Sequence, residues 1–389
     1  MKSPSAAVIT PALVLLLLQQ SVLAWSPIST STTRRSVVLQ MASPDDSVVT
    51  THHTASRRQW IQHLMGSAAA VVVCLPSNAA ADLVSSKAVC DTTVSVWQKN
   101  GRIVYLLGTA HVSAESAKLA SDLVKDTIPS GVFVELDNKR VNGESLAKYL
   151  NSMEGSRSRV IIPDIEALGR IETNSGDTGR IVKDFAKPSR KDGNNPLTGV
   201  ATAALKKDIG GMYKDIDDAG IKPGEEFINA INEGAKLGSA IVLGDQDVDV
   251  SMRHMANALL KTDPKVLFGG DEELARTMQQ LSPSGNGFKE GGDLKDEAYR
   301  AEFKEFVEKV KKKENIRLMM TQLKRLSPPL YDALVGERDA YMAAGINGLN
   351  ELESIVAVVG IAHADGIEEN LQRNGWKAAN PSCSKFQIR

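Results

Sequence analysis

Two stretches of this chain place a glycine three residues ahead of a histidine: Gly108-Thr109-Ala110-His111 and Gly360-Ile361-Ala362-His363. Each directly follows a short apolar, β-branched run, Ile103–Leu107 in the first case and Ile355–Val359 in the second. Beyond residue 81 the chain has three histidines, His111, His254 and His363, so this motif takes two of them. A glycine at a strand end lets the backbone turn sharply or approach a ligand closely. The imidazole that follows is a proton carrier or a metal ligand. Two further apolar runs end on carboxylates. Val132–Val134 leads into Glu135-Leu136-Asp137, and Ile241–Leu243 leads into Gly244-Asp245. Two imidazoles and a carboxylate form a common ligand set for a catalytic divalent ion. One Gly-x-x-His is a weak signal, because a lone histidine is more often a hydrogen-bonded structural residue. Two in matching settings point to a site. Glu337-Arg338-Asp339 is a further candidate, with Glu337 and Tyr341 at i, i+4, although the pattern alone reads as a solvated, charged helix.

The elements that must position these residues follow from periodicity. Val94–Trp97 and Ile103–Leu107 flank Lys99-Asn100-Gly101, and Asn-Gly between two such runs predicts a β-hairpin. After His111, Ser113 is placed to cap a helix with Glu115 and Ser116 in its first turn. Pro129-Ser130-Gly131 ends that helix before the strand Val132–Val134. Strand, helix and strand within about thirty residues form a βαβ unit and require a parallel pair. Residues 172–198 and 282–294 read as polar loops. Helices are expected through Leu205–Ile216, over Glu225–Leu237 and Ser251–Leu260, as one long charged stretch over about 295–325, over about 330–344 and from about Asp365 to Arg373. The expected fold is α/β, with a mixed, largely parallel sheet flanked by helices, opening with a β-hairpin and carrying helical insertions. Four strands then deliver an ionisable residue at their C-terminal ends, the edge where open α/β sheets bind ligands.

The ordered set of these pieces resembles the TraB family, within the TIKI-like superfamily. It comprises Leu107-Gly108-Thr109-Ala110-His111-Val112-Ser113, Val134-Glu135-Leu136-Asp137, Lys222-Pro223-Gly224-Glu225-Glu226-Phe227, Leu243-Gly244-Asp245, Glu337-Arg338-Asp339 and Val358–His363. The resemblance spans about residues 92–375. The TIKI proteins are metal-dependent proteases that inactivate Wnt signals, and bacterial GumN-like and pheromone-shutdown proteins are similar too. The resemblance implies a metal-dependent, peptidase-like hydrolase. His111 and His363 would hold a divalent ion, with Mn, Co and Zn as candidates. Glu135 or Glu337 would be the third ligand, the other carboxylate the general base, and Arg338 the group that steadies an oxyanion or orients a carboxylate. The family usually reads Gly-Asp-Arg where this chain has Gly244-Asp245-Gln246. The lost guanidinium puts full activity in question, with Arg253 a candidate replacement. The alternative implied is a non-catalytic peptide-binding or regulatory protein. Family members often carry C-terminal membrane spans; no such span is expected in the mature chain.

The N-terminal residues read as addresses rather than fold. Lys2, the apolar run Ala12–Leu18 and the small residues ending at Ala24 form a signal peptide over 1–24. Residues 25–55 are rich in Ser and Thr, carry Arg34 and Arg35, and have no acid before Asp45, which resembles a transit peptide. Residues 56–81 hold Arg57-Arg58, a mild apolar stretch too short to span a bilayer and Ala79-Ala80-Ala81, a twin-arginine lumenal signal. The domain proper is then 82–389, and the thylakoid lumen of a plastid is the expected location, with a secreted or endomembrane-lumenal protein as the alternative. A formal net charge of −1 gives no footprint for nucleic acid; a peptide or protein substrate is the expected partner. Cys90 and Cys383 are not in a zinc-type spacing and read either as a disulfide between the chain ends or as two unrelated thiols.

Overall fold

A computed structural model describes residues 83–153, 157–164, 196–218, 220, 222–263, 271–281 and 296–386. The three leader segments, the loop at 282–294 and most of the polar stretch at 172–198 lie outside the described residues.

Strands β1 (Val94–Lys99) and β2 (Arg102–Thr109) form the hairpin. Asn100 and Gly101 both have positive φ, 52° and 79°, as a two-residue turn matched to strand twist requires. Helix α1 (Ala114–Thr127) starts at Ser113, whose side chain accepts from the Ser116 amide, satisfying one of the free donors at a helix start. Strand β3 (Gly131–Val134), α2 (Gly143–Ser152), β4 (Val160–Ile161), α3 (Pro196–Asp218), α4 (Glu225–Leu237), β5 (Ala240–Leu243), α5 (Val248–Lys261) and α6 (Glu272–Leu281) follow. Then come α7 (Glu297–Val310), α8 (Lys313–Leu326), α9 (Glu337–Gly348), β6 (Ser354–Gly360), α10 (Ile361–Arg373) and β7 (Lys377–Ala379).

The sheet order is β4-β5-β3-β6-β2-β1-β7. The five strands from β4 to β2 run parallel, and β1 and β7 continue antiparallel. Strand alternation divides the core. Tyr105, Leu107, Val132, Val134, Val356 and Val358 face α1 and α4, while Leu106, Phe133, Ala357 and Val359 face α9, α10 and Trp376. Fully burying one such aliphatic or aromatic side chain contributes roughly 1.5–3 kcal/mol, so this two-faced sheet is the rigid base of the molecule. A third cluster joins α5, α7, α8 and the stretch before α9. This is the helical insertion.

Two helix boundaries differ from the sequence expectation. The charged stretch at 295–325 is two helices, broken at Lys311-Lys312. Phe303, Phe306 and Val310 of α7 and Ile316, Met319 and Leu323 of α8 enter one cluster; a bend lets both apolar faces meet, where a straight rod would separate them. Helix α10 begins at Ile361, four residues earlier than expected, so His363 lies in its first turn. Cys90 and Cys383 are joined in a disulfide across a separation of 293 residues. No helix of the described residues is long and apolar enough to cross a membrane.

Candidate active site

The four strands singled out from the sequence are neighbours, in the order β5-β3-β6-β2. Their C-terminal ends bring Asp245, Glu135, the Gly360–His363 turn and the Gly108–His111 turn to one edge. Thr109 pairs with Gly360 in the parallel register, so the two Gly-x-x-His turns leave adjacent strands side by side. Gly108 permits this approach. A Cβ there would stand 2.3 Å from Cδ1 and 3.1 Å from Cα of Ile361, so the first motif is glycine because the second packs on it.

The centre of the site is the guanidinium of Arg338, 1% exposed. Its Nε donates to Asp245 Oδ1 at 3.0 Å, and Nη2 donates to Asp245 Oδ2 at 2.6 Å and to Glu135 Oε1. Its Nη1 lies 3.1 Å from His363 Nε2. The other Glu135 oxygen accepts from the Gly360 amide at 2.6 Å. Arg140 is a second buried guanidinium, donating to Asp137 and Asp245. Burial alone raises the pKa of Asp245, but Arg338 and Arg140 more than offset it and hold that carboxyl far below the usual range. Burial also opposes ionisation of Glu135, where the positive charge around it, that of Arg338 included, reverses the shift and lowers it.

Each histidine of the edge is keyed by a buried carboxylate. Arginine has no acceptor, so the Arg338 contact makes His363 Nε2 the acceptor and leaves Nδ1–H to donate to Asp339 Oδ1, 2.6 Å away. Burial raises Asp339 to about 6 despite His363 and Arg338. On the other side His111 Nδ1 pairs with Glu226 Oε1, and Glu226 also accepts from Thr109 Oγ1 at 3.4 Å. Burial works against a charged His111, but Glu226 outweighs it, so its proton affinity is raised; Glu135 adds to that and Arg338 opposes it. His111 Nε2 is buried without a hydrogen-bond partner. A buried imidazole with one nitrogen oriented by a carboxylate and the other free is the arrangement of a general base.

Of the residues proposed from sequence, Glu135, Arg338 and His363 are in direct contact, and His111 stands within the electrostatic reach of Glu135 and Arg338. Glu337 turns instead to His254, whose Nδ1 is 2.5 Å from its Oε2. Helix α9 is not the solvated helix its pattern suggested: Glu337, Arg338 and Asp339 are all buried, because the helix packs against the sheet and α10. A π-helical turn, Asp332–Gly336, immediately precedes them, an irregularity frequent at functional sites. Arg253 donates to the Asp249 carbonyl of its own helix, whereas the guanidinium groups that hold Asp245 are those of Arg338 and Arg140. Gln246 is buried, and its Oε1 accepts from Ser251 at 2.7 Å. Glu226 and Asp339 lie within the motifs quoted above, but their roles rest on contacts with His111 and His363 that residue spacing does not reveal.

The arrangement does not fit the divalent ion that the resemblance implies. The Nε2 lone pair of His363 and an oxygen of Glu135 are both engaged by a permanent cation. Among the described residues no group of three or more His, Cys, Asp or Glu stands so as to hold a metal.

A cleft of about 370 Å³ opens beside this edge. It is lined by Val112 and Ser113, which follow His111, by Lys222 and Glu225, which lead to Glu226, and by Phe303 and Val307 of α7. The Gly224 amide donates to the His111 carbonyl at 2.8 Å, tying the two walls together.

Fold and site together define an α/β protein with a buried, charged centre at the C-terminal edge of a parallel sheet. Residues 233–379 match the TraB/PrgY/gumN family model. The chain is 27% identical over 271 residues to an uncharacterized protein of Methanocaldococcus jannaschii, covering 69% of this chain and 53% of that protein. It is 23% identical over 296 residues to a TraB domain-containing protein of Mus musculus, and 23% identical over 297 residues to one of Bos taurus. Each of those matches covers 72% of this chain and 65% of the relative, so the chain spans half to two thirds of these relatives' length.

Proposed function

We propose that this chain is a hydrolase that cleaves an acyl bond, a peptide bond by the family resemblance, at the cleft beside His111. The observation that carries the reading is the His111–Glu226 pair, with Nδ1 held and Nε2 free inside the protein. A water at Nε2 gives its proton to the imidazole as its oxygen attacks the substrate carbonyl. Glu226 stabilises the imidazolium, which then returns the proton to the departing amine. The fixed positive charge of Arg338 favours the oxyanion formed between these steps. Glu135 and Asp245 hold that guanidinium in place, and Asp339 holds His363 against it. The test is cleavage of a quenched fluorescent peptide library by the wild-type protein and by His111→Ala. The reading expects a loss of about 10²-fold or more in the variant, the usual weight of a general base. Equal cleavage by both would sink it.

A second reading is a regulatory protein that binds peptides without turnover. Gln246, in place of the arginine usual in the family and tied to Ser251, favours it. Saturable peptide binding with no cleavage would select it. Location is proposed as the thylakoid lumen, on the three serial address signals of residues 1–81. The Cys90–Cys383 disulfide supports an oxidising compartment. A tagged leader that leaves its cargo in the cytosol contradicts that location.

A further inference from the structure

We infer that Arg338 is the resident cation of this site: its guanidinium takes the position that a divalent ion would take among Glu135, Asp245 and His363, and the protein needs no metal there.

The donor set around the guanidinium is that of a metal centre. Two carboxylates and one imidazole nitrogen converge on it: Glu135 through Oε1, Asp245 through both oxygens, and His363 through Nε2 at 3.1 Å. Oxygen, oxygen and nitrogen is a set that takes Mn²⁺ or Zn²⁺ when it faces an empty point. Here it faces a planar cation that donates along each of those directions, in the fork geometry suited to carboxylates. The charge is also nearly met. Arg338 and Arg140 stand against Glu135, Asp245 and Asp137. A divalent ion added beside them would put two cations in contact in a buried setting, where little solvent screens them. The orientation of His363 is consistent: Asp339 fixes the tautomer whose free lone pair points at Arg338. His111 Nε2, the unpartnered nitrogen of the site, then serves the proton rather than an ion. That last step rests on the hydrolytic reading above; the cation assignment does not.

The experiment is metal analysis and thermal melting of the purified full chain, as wild type, Arg338→Ala and Arg338→Lys, each equilibrated with Mn²⁺ or Zn²⁺ and then with a chelator. The wild type is expected to hold substoichiometric metal and to melt at the same temperature in all conditions. Arg338→Ala, which leaves two buried carboxylates facing an empty point, is expected to melt lower and to be shifted back upward by the ions. Arg338→Lys, which retains a cation, is expected to melt above Arg338→Ala and to respond less to them. One equivalent of metal in the wild type, lost in His111→Ala or His363→Ala, overturns the inference. A folded Arg338→Ala that gains nothing from either ion overturns it equally. If Arg338→Ala does not fold, the wild-type metal content decides alone. Absence of peptide cleavage beside a metal-free, chelator-indifferent wild type would remove the hydrolytic reading and leave the cation assignment standing.

Discussion

Arg338 donates to Nε2 of His363 from 3.1 Å, a partner that the histidine of the first Gly-x-x-His motif does not have. His363 stands between that guanidinium and Asp339, and under the proposed function the proton chemistry falls to His111. The two motifs are alike in sequence and in their place at the sheet edge, yet their imidazoles have different partners.

Glu226→Gln is expected to lower turnover by roughly 10–10² and to leave the fold intact, because the amide still accepts one hydrogen bond but no longer stabilises an imidazolium. Glu226 raises the proton affinity of His111, so the acid limb of the pH–rate profile, where the base becomes protonated, should move to lower pH in this variant. An unmoved limb with lowered rate would mean that Glu226 only packs.

Stability should depend on pH with two opposite signs. Asp245 and Glu135 have depressed folded-state values. Their contribution is present above the ordinary carboxylate range near 4 and is lost as pH falls below it. Asp339 is raised to about 6, so ionising it costs stability as pH rises from about 4 through 6. The cost is roughly 3 kcal/mol at most, from the size of that shift. Denaturant melts should show Asp339→Asn flattening the slope between pH 4 and 6 while leaving the acid collapse below pH 4 in place. A slope that survives the substitution would assign it to another group.

Reduction of Cys90–Cys383 frees both ends of the described domain, 293 residues apart. Closing so long a loop stabilises the fold by about 2–5 kcal/mol. The double variant Cys90→Ser/Cys383→Ser should therefore melt well below the wild type, and added reductant should shift the wild type alone. Identical melts in all cases would show that the bridge constrains nothing.

Gly108→Ala drives a methyl group against Ile361, and overpacking of this kind costs about 1–3 kcal/mol. Ile361→Ala in the same chain should recover part of the loss, since the clash is chiefly with the end of that side chain. A double variant no better than the single would place the strain in the backbone.

The fold was legible because its strands are short apolar runs with glycine, asparagine or proline at their borders, and the sheet edge followed from where each run met an ionisable residue. His111, His363, Glu135 and Asp245 were visible for that reason. Arg338 was visible only through the family motif, since the helix pattern around it reads as solvent-facing. What spacing could not reveal was pairing. Glu226 is 115 positions from His111, and His254 is 83 from Glu337. Periodicity places a residue on an element but does not say which distant element covers it. The break at Lys311-Lys312 was hidden likewise, because lysines suit a helix and only the convergence of two apolar faces forces the bend.

The most direct test of the account is a pH titration of the imidazole nitrogens of His111 by ¹⁵N NMR, with His111→Ala to assign the signals. The uncharged ring is expected to carry its proton on Nδ1, and Nε2 to take up a second proton with a midpoint above the ordinary histidine value of about 6.5. A His111 ring protonated on Nε2 when uncharged, or one whose midpoint lies below that value, would contradict it.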